Sequence, residues 1–305
     1  MKTNHIIAVA FFATAISFAT GVHAYAQDSK KVQFGYDAGF EAVSAYLWRG
    51  QYNGGLSFQP DLEIGYDGEN TGFRIGAWGN VGASDWEFDA LDLVMPDGGD
   101  PPGTYFVPEI DIMGHLDFFG ASVGFTHYYY FGGSKFLCWQ PLEKWQSDDD
   151  YADNNTSTTE VTVGYDFSEL DLCGLYFTWN TMVAGNDFLY NDETGAIEKR
   201  NFSSYLEIGY NYEFERLGMT LGGFVGMSPW QSDFYGNDRF AVTALSLRLD
   251  KEWEFDVCSI DLFAQGMMNP YGLAKDPKSA YIHDFGDNKI CCQTLNGAIG
   301  LGIWF

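Results

Sequence analysis

Three arginines, Arg49, Arg74 and Arg248, share strand parity with a larger set of carboxylates: Glu63, Asp67, Asp111, Asp117, Glu160, Asp166, Glu207, Asp250 and Asp261. Opposite charges gathered in a confined space usually pair, because an isolated buried charge is costly. Arranged as facing ladders they instead set a transverse field that sorts solutes by size and charge. Arg49, Arg74 and Arg248 with Glu63, Glu160 and Glu207 are thus the candidate constriction. A second acidic set lies between the patterned segments: Asp85, Glu87, Asp89, Asp92, Asp97 and Asp100 in one stretch, Asp148, Asp149, Asp150 and Asp153 in another. Such a mouth attracts cations and repels anions within a Debye length of roughly 8 Å at physiological salt. For most of these carboxylates the plainer reading is a solvated surface bridged to lipopolysaccharide by divalent cations.

Other chemistry finds less support. The run Asp148-Asp149-Asp150-Tyr151-Ala152-Asp153 lacks the alternating ligands and central glycine of a calcium loop. Gly222-Gly223-Phe224-Val225-Gly226 has no helix after it to cradle a phosphate. His115, His127 and His283 follow the leader segment; His127 falls on an outward parity, where a barrel lipase would need a serine and an orienting group beside it, and no flanking pattern supplies them. Catalysis is not expected, nor is a metal or cofactor. Of five cysteines, Cys138, Cys291 and Cys292 fall in long connections where one disulfide would fit, and Cys173 and Cys258 stand beside short turns as small apolar residues. A formal charge of −26 makes nucleic acid an unsuitable partner.

The elements that position these residues are strands. The chain is 18% aromatic with 36 Gly and 9 Pro, and its apolar residues alternate rather than cluster. Alternation over about ten residues, repeated between turn signals, is the signature of a transmembrane β-barrel. Twelve strands are predicted: Tyr36–Trp48, Phe58–Asp67, Gly72–Gly82, Glu109–Phe118, Ala121–Phe131, Thr158–Phe167, Leu172–Ala184, Phe202–Phe214, Leu217–Ser228, Phe240–Asp250, Phe255–Met267 and Gln293–Phe305. Tight links, such as Phe119-Gly120, Glu215-Arg216 and Lys251 to Glu254, alternate with long ones at Ala83–Pro108, Gly132–Ser157, Gly185–Asn201 and Met268–Cys292. That rhythm argues against a soluble sandwich or jelly roll, which also alternates. The expectation is a single all-β, up-and-down antiparallel barrel with short periplasmic turns and long extracellular loops. Val161, Val163, Tyr165 and Phe167 then face lipid, as do Leu206, Ile208, Tyr210, Tyr212 and Phe214. Trp48, Trp179, Tyr212 and Phe214 read as interfacial girdle. In the first strand Glu41 and Arg49 are placed inward, since charge facing lipid is costly. Barrels of twelve strands lie between filled 8-strand and open 16- to 18-strand ones, so a plugged lumen and a narrow pore both fit.

The ends of the chain agree with export. Lys2, the apolar run from Ile6 to Ala19 and Ala24-Tyr25-Ala26 read as a signal peptide over residues 1–26, with a barrel domain over 27–305. Leu301-Gly302-Ile303-Trp304-Phe305 ends an apolar/small alternation on an aromatic, as barrels delivered to the outer-membrane assembly machinery do. Both termini then lie in the periplasm.

The segment Ser44-Ala45-Tyr46-Leu47-Trp48-Arg49-Gly50, followed by Phe58-Gln59-Pro60 and the strand from Gly72-Phe73 to Trp78-Gly79, resembles the TorF-type porin family. Its pattern is S-x-Y-x-x-R-G, then Q-P, then G-F-x-x-G-x-W; the match covers mainly Tyr36 to Asp85. Membership implies a bacterial outer-membrane barrel presumed to conduct small solutes, in a family with no settled substrate or catalytic residues. The combined expectation is a monomeric, passive, porin-like channel for small neutral or cationic solutes. The alternative is a non-conducting barrel whose acidic, aromatic loops bind an extracellular ligand or envelope partner.

Overall fold

The computed structural model describes residues 33–68, 70–82, 109–130, 139–147, 157–170, 172, 174–191, 196–232, 234–275 and 295–305. Sixteen strands occur among them: β1 (Gln33–Val43), β2 (Tyr46–Trp48), β3 (Gln51–Gly54), β4 (Ser57–Asp67), β5 (Thr71–Gly82), β6 (Glu109–Phe118), β7 (Ala121–Tyr130), β8 (Thr158–Asp166), β9 (Leu175–Gly185), β10 (Phe188–Tyr190), β11 (Ile197–Arg200), β12 (Ser204–Phe214), β13 (Met219–Ser228), β14 (Ala241–Glu254), β15 (Ser259–Met268) and β16 (Leu295–Trp304). Twelve close into an antiparallel barrel in the order β1-β16-β15-β14-β13-β12-β9-β8-β7-β6-β5-β4, while β2–β3 and β10–β11 form separate two-stranded hairpins. Closure satisfies every ladder edge, which a bilayer demands because lipid offers no hydrogen bonds.

Burial is inverted relative to a soluble sandwich. Val163, Ile208, Tyr210, Leu247, Ile299 and Leu301 are exposed on the outer wall, whereas Glu160, Glu207 and Asp261 are buried within it. A wall that exposes its apolar parity and encloses its charges is stable only with lipid outside, so this is a membrane-spanning barrel. Aromatic pairs stand at the strand ends near the short turns, among them Tyr212–Phe214 with ring centroids 4.8 Å apart and Tyr165–Phe167 at 5.0 Å. Near the other rim, Trp179 and Trp230 lie 6.1 Å apart. Such belts suit amphipathic rings at the headgroup level.

The β6–β7 turn is the two-residue Phe119-Gly120, both with positive φ (49° and 79°), whose twist matches that of the flanking strands. At the other end of the chain, the Phe305 amide donates to Ala38 O at 2.8 Å, continuing the β16–β1 closure by one bond.

Three expectations are corrected. The first strand stops at Val43 rather than Trp48, and the residues after it turn inward as β2–β3. Trp48, expected in the girdle, is 8% exposed and packs with Tyr128, Tyr205 and Tyr235 inside the barrel. Parity alone misled here, because Tyr46–Trp48 alternates as well inside a lumen as across a membrane. The expected turn Lys251–Glu254 continues β14, which stays paired to β15 through Glu254↔Ser259; the reversal comes after it, where the Phe255 amide meets Cys258 O at 2.9 Å. The connection from Gly185 to Asn201 carries β10–β11, held against a short helix at Leu142–Ser147 by Trp145 and Phe188, 4.9 Å apart.

Val163→Arg on the lipid face is expected to destabilise the barrel by about 2–4 kcal/mol if Val163 lies near the bilayer midplane. Urea-driven unfolding in lipid vesicles measures this; an unchanged midpoint would contradict the outward assignment.

Candidate functional site

The inward hairpin begins where β1 ends. Its tip, Arg49-Gly50, has φ of 47° and 86°, the left-handed pair of a tight two-residue turn. Glycine is required at the second position: a Cβ there would sit 1.9 Å from Thr243 O. At the first, left-handed arginine costs on the order of 1 kcal/mol and persists only where its surroundings hold it.

Those surroundings are extensive. Arg49 Nη2 donates to Glu160 Oε1 at 2.8 Å, and Nη1 donates to Glu160 Oε2 and to the Tyr235 hydroxyl at 2.9 Å. The guanidinium also lies 4.6 Å from the Trp48 ring centre and 4.9 Å from that of Tyr205. Tyr128 OH donates to Glu160 at 3.2 Å. Glu207 accepts from Tyr176 and Tyr205, each at 2.9 Å. Gly226, across from Glu207, makes room for this cluster, since a Cβ there would lie 1.9 Å from the Tyr205 hydroxyl. Beside the tip, Gly50 N meets Met267 Sδ at 3.2 Å and Gln51 Nε2 donates to Phe234 O at 2.8 Å.

Topology shows what this contact spans. Counting round the barrel, β8, which carries Glu160, is five strands from β1 in one direction and seven in the other. The hairpin therefore crosses the lumen to nearly the opposite wall. Glu160 and Tyr128 lie near the ends of β8 and β7 that face the long connections, so the crossing is made at that end. The side chains of Arg49 and Glu160 are 1% and 2% exposed.

The other candidate residues gather at two further levels. Arg248 donates to Asp250 at 2.7 Å, lies 3.5 Å from Glu41 and 3.6 Å from Asp261, and covers the Phe263 ring at 3.5 Å. Arg74, close to the short-turn end, contacts Asp67 at 3.0 Å and Glu63 at 3.7 Å. His115 Nε2 lies 3.2 Å from Asp117. The structure thus brings Arg49, Glu160 and Glu207 together and separates them from Arg248 and from the Arg74–Glu63 pair. Below the hairpin runs a cavity of about 440 Å³, roofed by Ala45 to Arg49 and reaching Glu213, Glu215, Glu252 and Glu254 towards the short turns. Eight carboxylates and two arginines line it.

Residues 83–108 and 148–156 lie outside the described residues, and with them the acidic mouth set Asp85, Glu87, Asp89, Asp92, Asp148, Asp149 and Asp150. So do residues 1–32, His283, Cys138, Cys173, Cys291 and Cys292. Cys258 is a free thiol. His127 Nδ1 lies 2.9 Å from the Thr159 hydroxyl, to which Trp139 Nε1 also donates at 2.7 Å. No group of three potential metal ligands occurs among the described residues. Sequence reading missed the ring set Tyr128, Tyr205 and Tyr235. Parity would have placed the first two inward with Thr126 and Glu207; Tyr235, on the β13–β14 connection, carries no such signal.

Strand order, apolar belt and charged interior define a transmembrane β-barrel with an internal hairpin. No family model and no curated protein matches the chain. Among solved structures, OmpF of Salmonella typhi in complex with daunomycin is similar at 10% identity and a TM-score of 0.39, over 90% of this chain and 97% of that one. OprB of Pseudomonas putida, in its high-pH structure, is similar at 7% identity and a TM-score of 0.32, over 90% and 93%.

Arg49→Ala is expected to cost about 3–5 kcal/mol, because Glu160 is left as an uncompensated buried charge. The double variant Arg49→Ala/Glu160→Ala should cost clearly less than the sum of the two single changes. Unfolding free energies of the four proteins in vesicles decide; strict additivity would contradict the pairing.

Proposed function

We propose that the chain is a bacterial outer-membrane channel for small neutral or cationic solutes, with its long-loop side outward, both termini periplasmic and the lumen held closed by the inward hairpin. The observation that carries this reading is the acid-lined cavity between the hairpin and the short turns. Its two arginines are each already paired, Arg49 with Glu160 and Arg248 with Asp250, Glu41 and Asp261. The remaining carboxylates leave a negative interior, which favours cations and disfavours anions.

Membership of the TorF-type porin family belongs to the same proposal. The motif residues Tyr46, Arg49 and Gly50 are the ones that build the hairpin and its tip, which gives the pattern a physical role. Lipopolysaccharide around the outer rim, and the barrel assembly machinery at Phe305, are the proposed partners. A second reading, a non-conducting barrel that binds an extracellular ligand or envelope partner through its loops, is favoured by one observation: the hairpin spans the lumen at that level.

Proteoliposomes holding a potassium chloride gradient separate the two. The channel reading predicts a potential, reported by a voltage-sensitive dye, of the sign set by potassium outrunning chloride. A chloride-driven potential contradicts the acidic selectivity, and a folded barrel that develops no potential favours the second reading.

A further inference from the structure

One part of the cavity wall is unlike the rest. Asp61 of β4 is registered opposite Trp78 of β5, and Trp78 opposite Asp111 of β6. Three adjacent strands therefore present carboxylate, indole and carboxylate in one row at one level. Neighbouring strands are about 4.8 Å apart, so the row is roughly 10 Å wide. All three residues line the cavity, and the ring of Tyr46, from the hairpin above, lies 5.4 Å from that of Trp78.

The row lacks the cations found at the other levels. Among the described residues no arginine, lysine or histidine lies within ion-pair distance of Asp61 or Asp111, whereas Glu41, Glu63, Glu160, Asp250 and Asp261 all have one. Asp111 is 7% exposed, and its Oδ1 has no hydrogen-bond partner. Its neighbour Glu109 is another carboxyl, hydrogen-bonded to it, and Arg49 acts on it only from beyond ion-pair distance. A buried acceptor left open beside an aromatic face is a costly arrangement without a ligand.

We propose that Asp61, Trp78 and Asp111, with Tyr46 above them, form a binding site for a small organic ammonium ion in the lumen. This rests on the reading of the cavity as accessible to solute from the short-turn end. The indole decides the class of cation. A hard metal ion wants several oxygen ligands, while a large, weakly hydrated ammonium is attracted to an indole face flanked by negative charge. Two carboxylates on either side of the ring then fix the ion laterally and exclude anions.

Isothermal titration of the refolded full chain in detergent micelles tests the site without requiring conduction. The probes are choline and its neutral carbon isostere, 3,3-dimethyl-1-butanol. Choline is expected to bind at least about tenfold more tightly than the isostere. Trp78→Leu and Asp111→Asn should each weaken choline about tenfold, and Asp256→Asn, in the exposed β14–β15 turn, should not. Equal affinity for the two probes, or no choline binding, overturns the proposal even if no variant folds. An equal loss in Asp256→Asn overturns it as well, by showing only a diffuse field. A barrel that binds choline but does not conduct keeps this site and removes the channel reading; one that conducts without preferring choline does the reverse.

Discussion

A guanidinium buried in the middle of a membrane protein has to be neutralised, and the internal architecture of this barrel follows from how that is done for Arg49. The two-pronged contact with Glu160 joins the hairpin that follows β1 to the far wall. Removing either charge from water is costly, and the attraction repays that only when the remaining donors and acceptors are also satisfied. Tyr235 and Tyr128 supply hydrogen bonds, and Trp48 and Tyr205 supply ring faces. The tight turn at Arg49-Gly50 is the backbone's contribution: it lets the tip reach the wall at the expense of an unfavourable φ at Arg49.

The same electrostatic logic divides the lumen into levels. Arg248 gathers three carboxylates in the middle and Arg74 two near the short turns, so each of these guanidinium groups is held by acids. Carboxylates outnumber arginines along the cavity, which leaves the surplus at the Asp61–Trp78–Asp111 row and around the acids near the short turns. From the short turns inward, the cavity wall presents negative charge first and the hairpin last. On the proposed channel reading, conduction requires the tip to leave its seat.

Much of this was legible in the residues. Period-two alternation in segments such as Thr158–Phe167 and Leu206–Phe214 gave strand and face, and the rhythm of short and long links gave the barrel. Inward placement of Glu160 and Glu207 followed from the same parity, and that of Arg49 from the cost of charge facing lipid. What parity could not show was depth or distance across the lumen. Arg49 and Glu160 are 111 residues apart, and their meeting depends on the strand stopping at Val43. That stop has no strong breaker, since Ser44-Ala45 is compatible with continuing the strand; it is decided by the tertiary seat at Glu160. The row at Asp61, Trp78 and Asp111 likewise exists only through register, which a single chain does not reveal.

Single-channel recording of the wild-type barrel beside Arg49→Ala/Glu160→Ala, both in planar bilayers, tests the central claim most directly. If the Arg49–Glu160 contact keeps the lumen shut, the wild type will dwell closed with brief cation-preferring openings, and the double variant will remain open for most of the record. Indistinguishable open probabilities, or a wild type that stands permanently open, would contradict it.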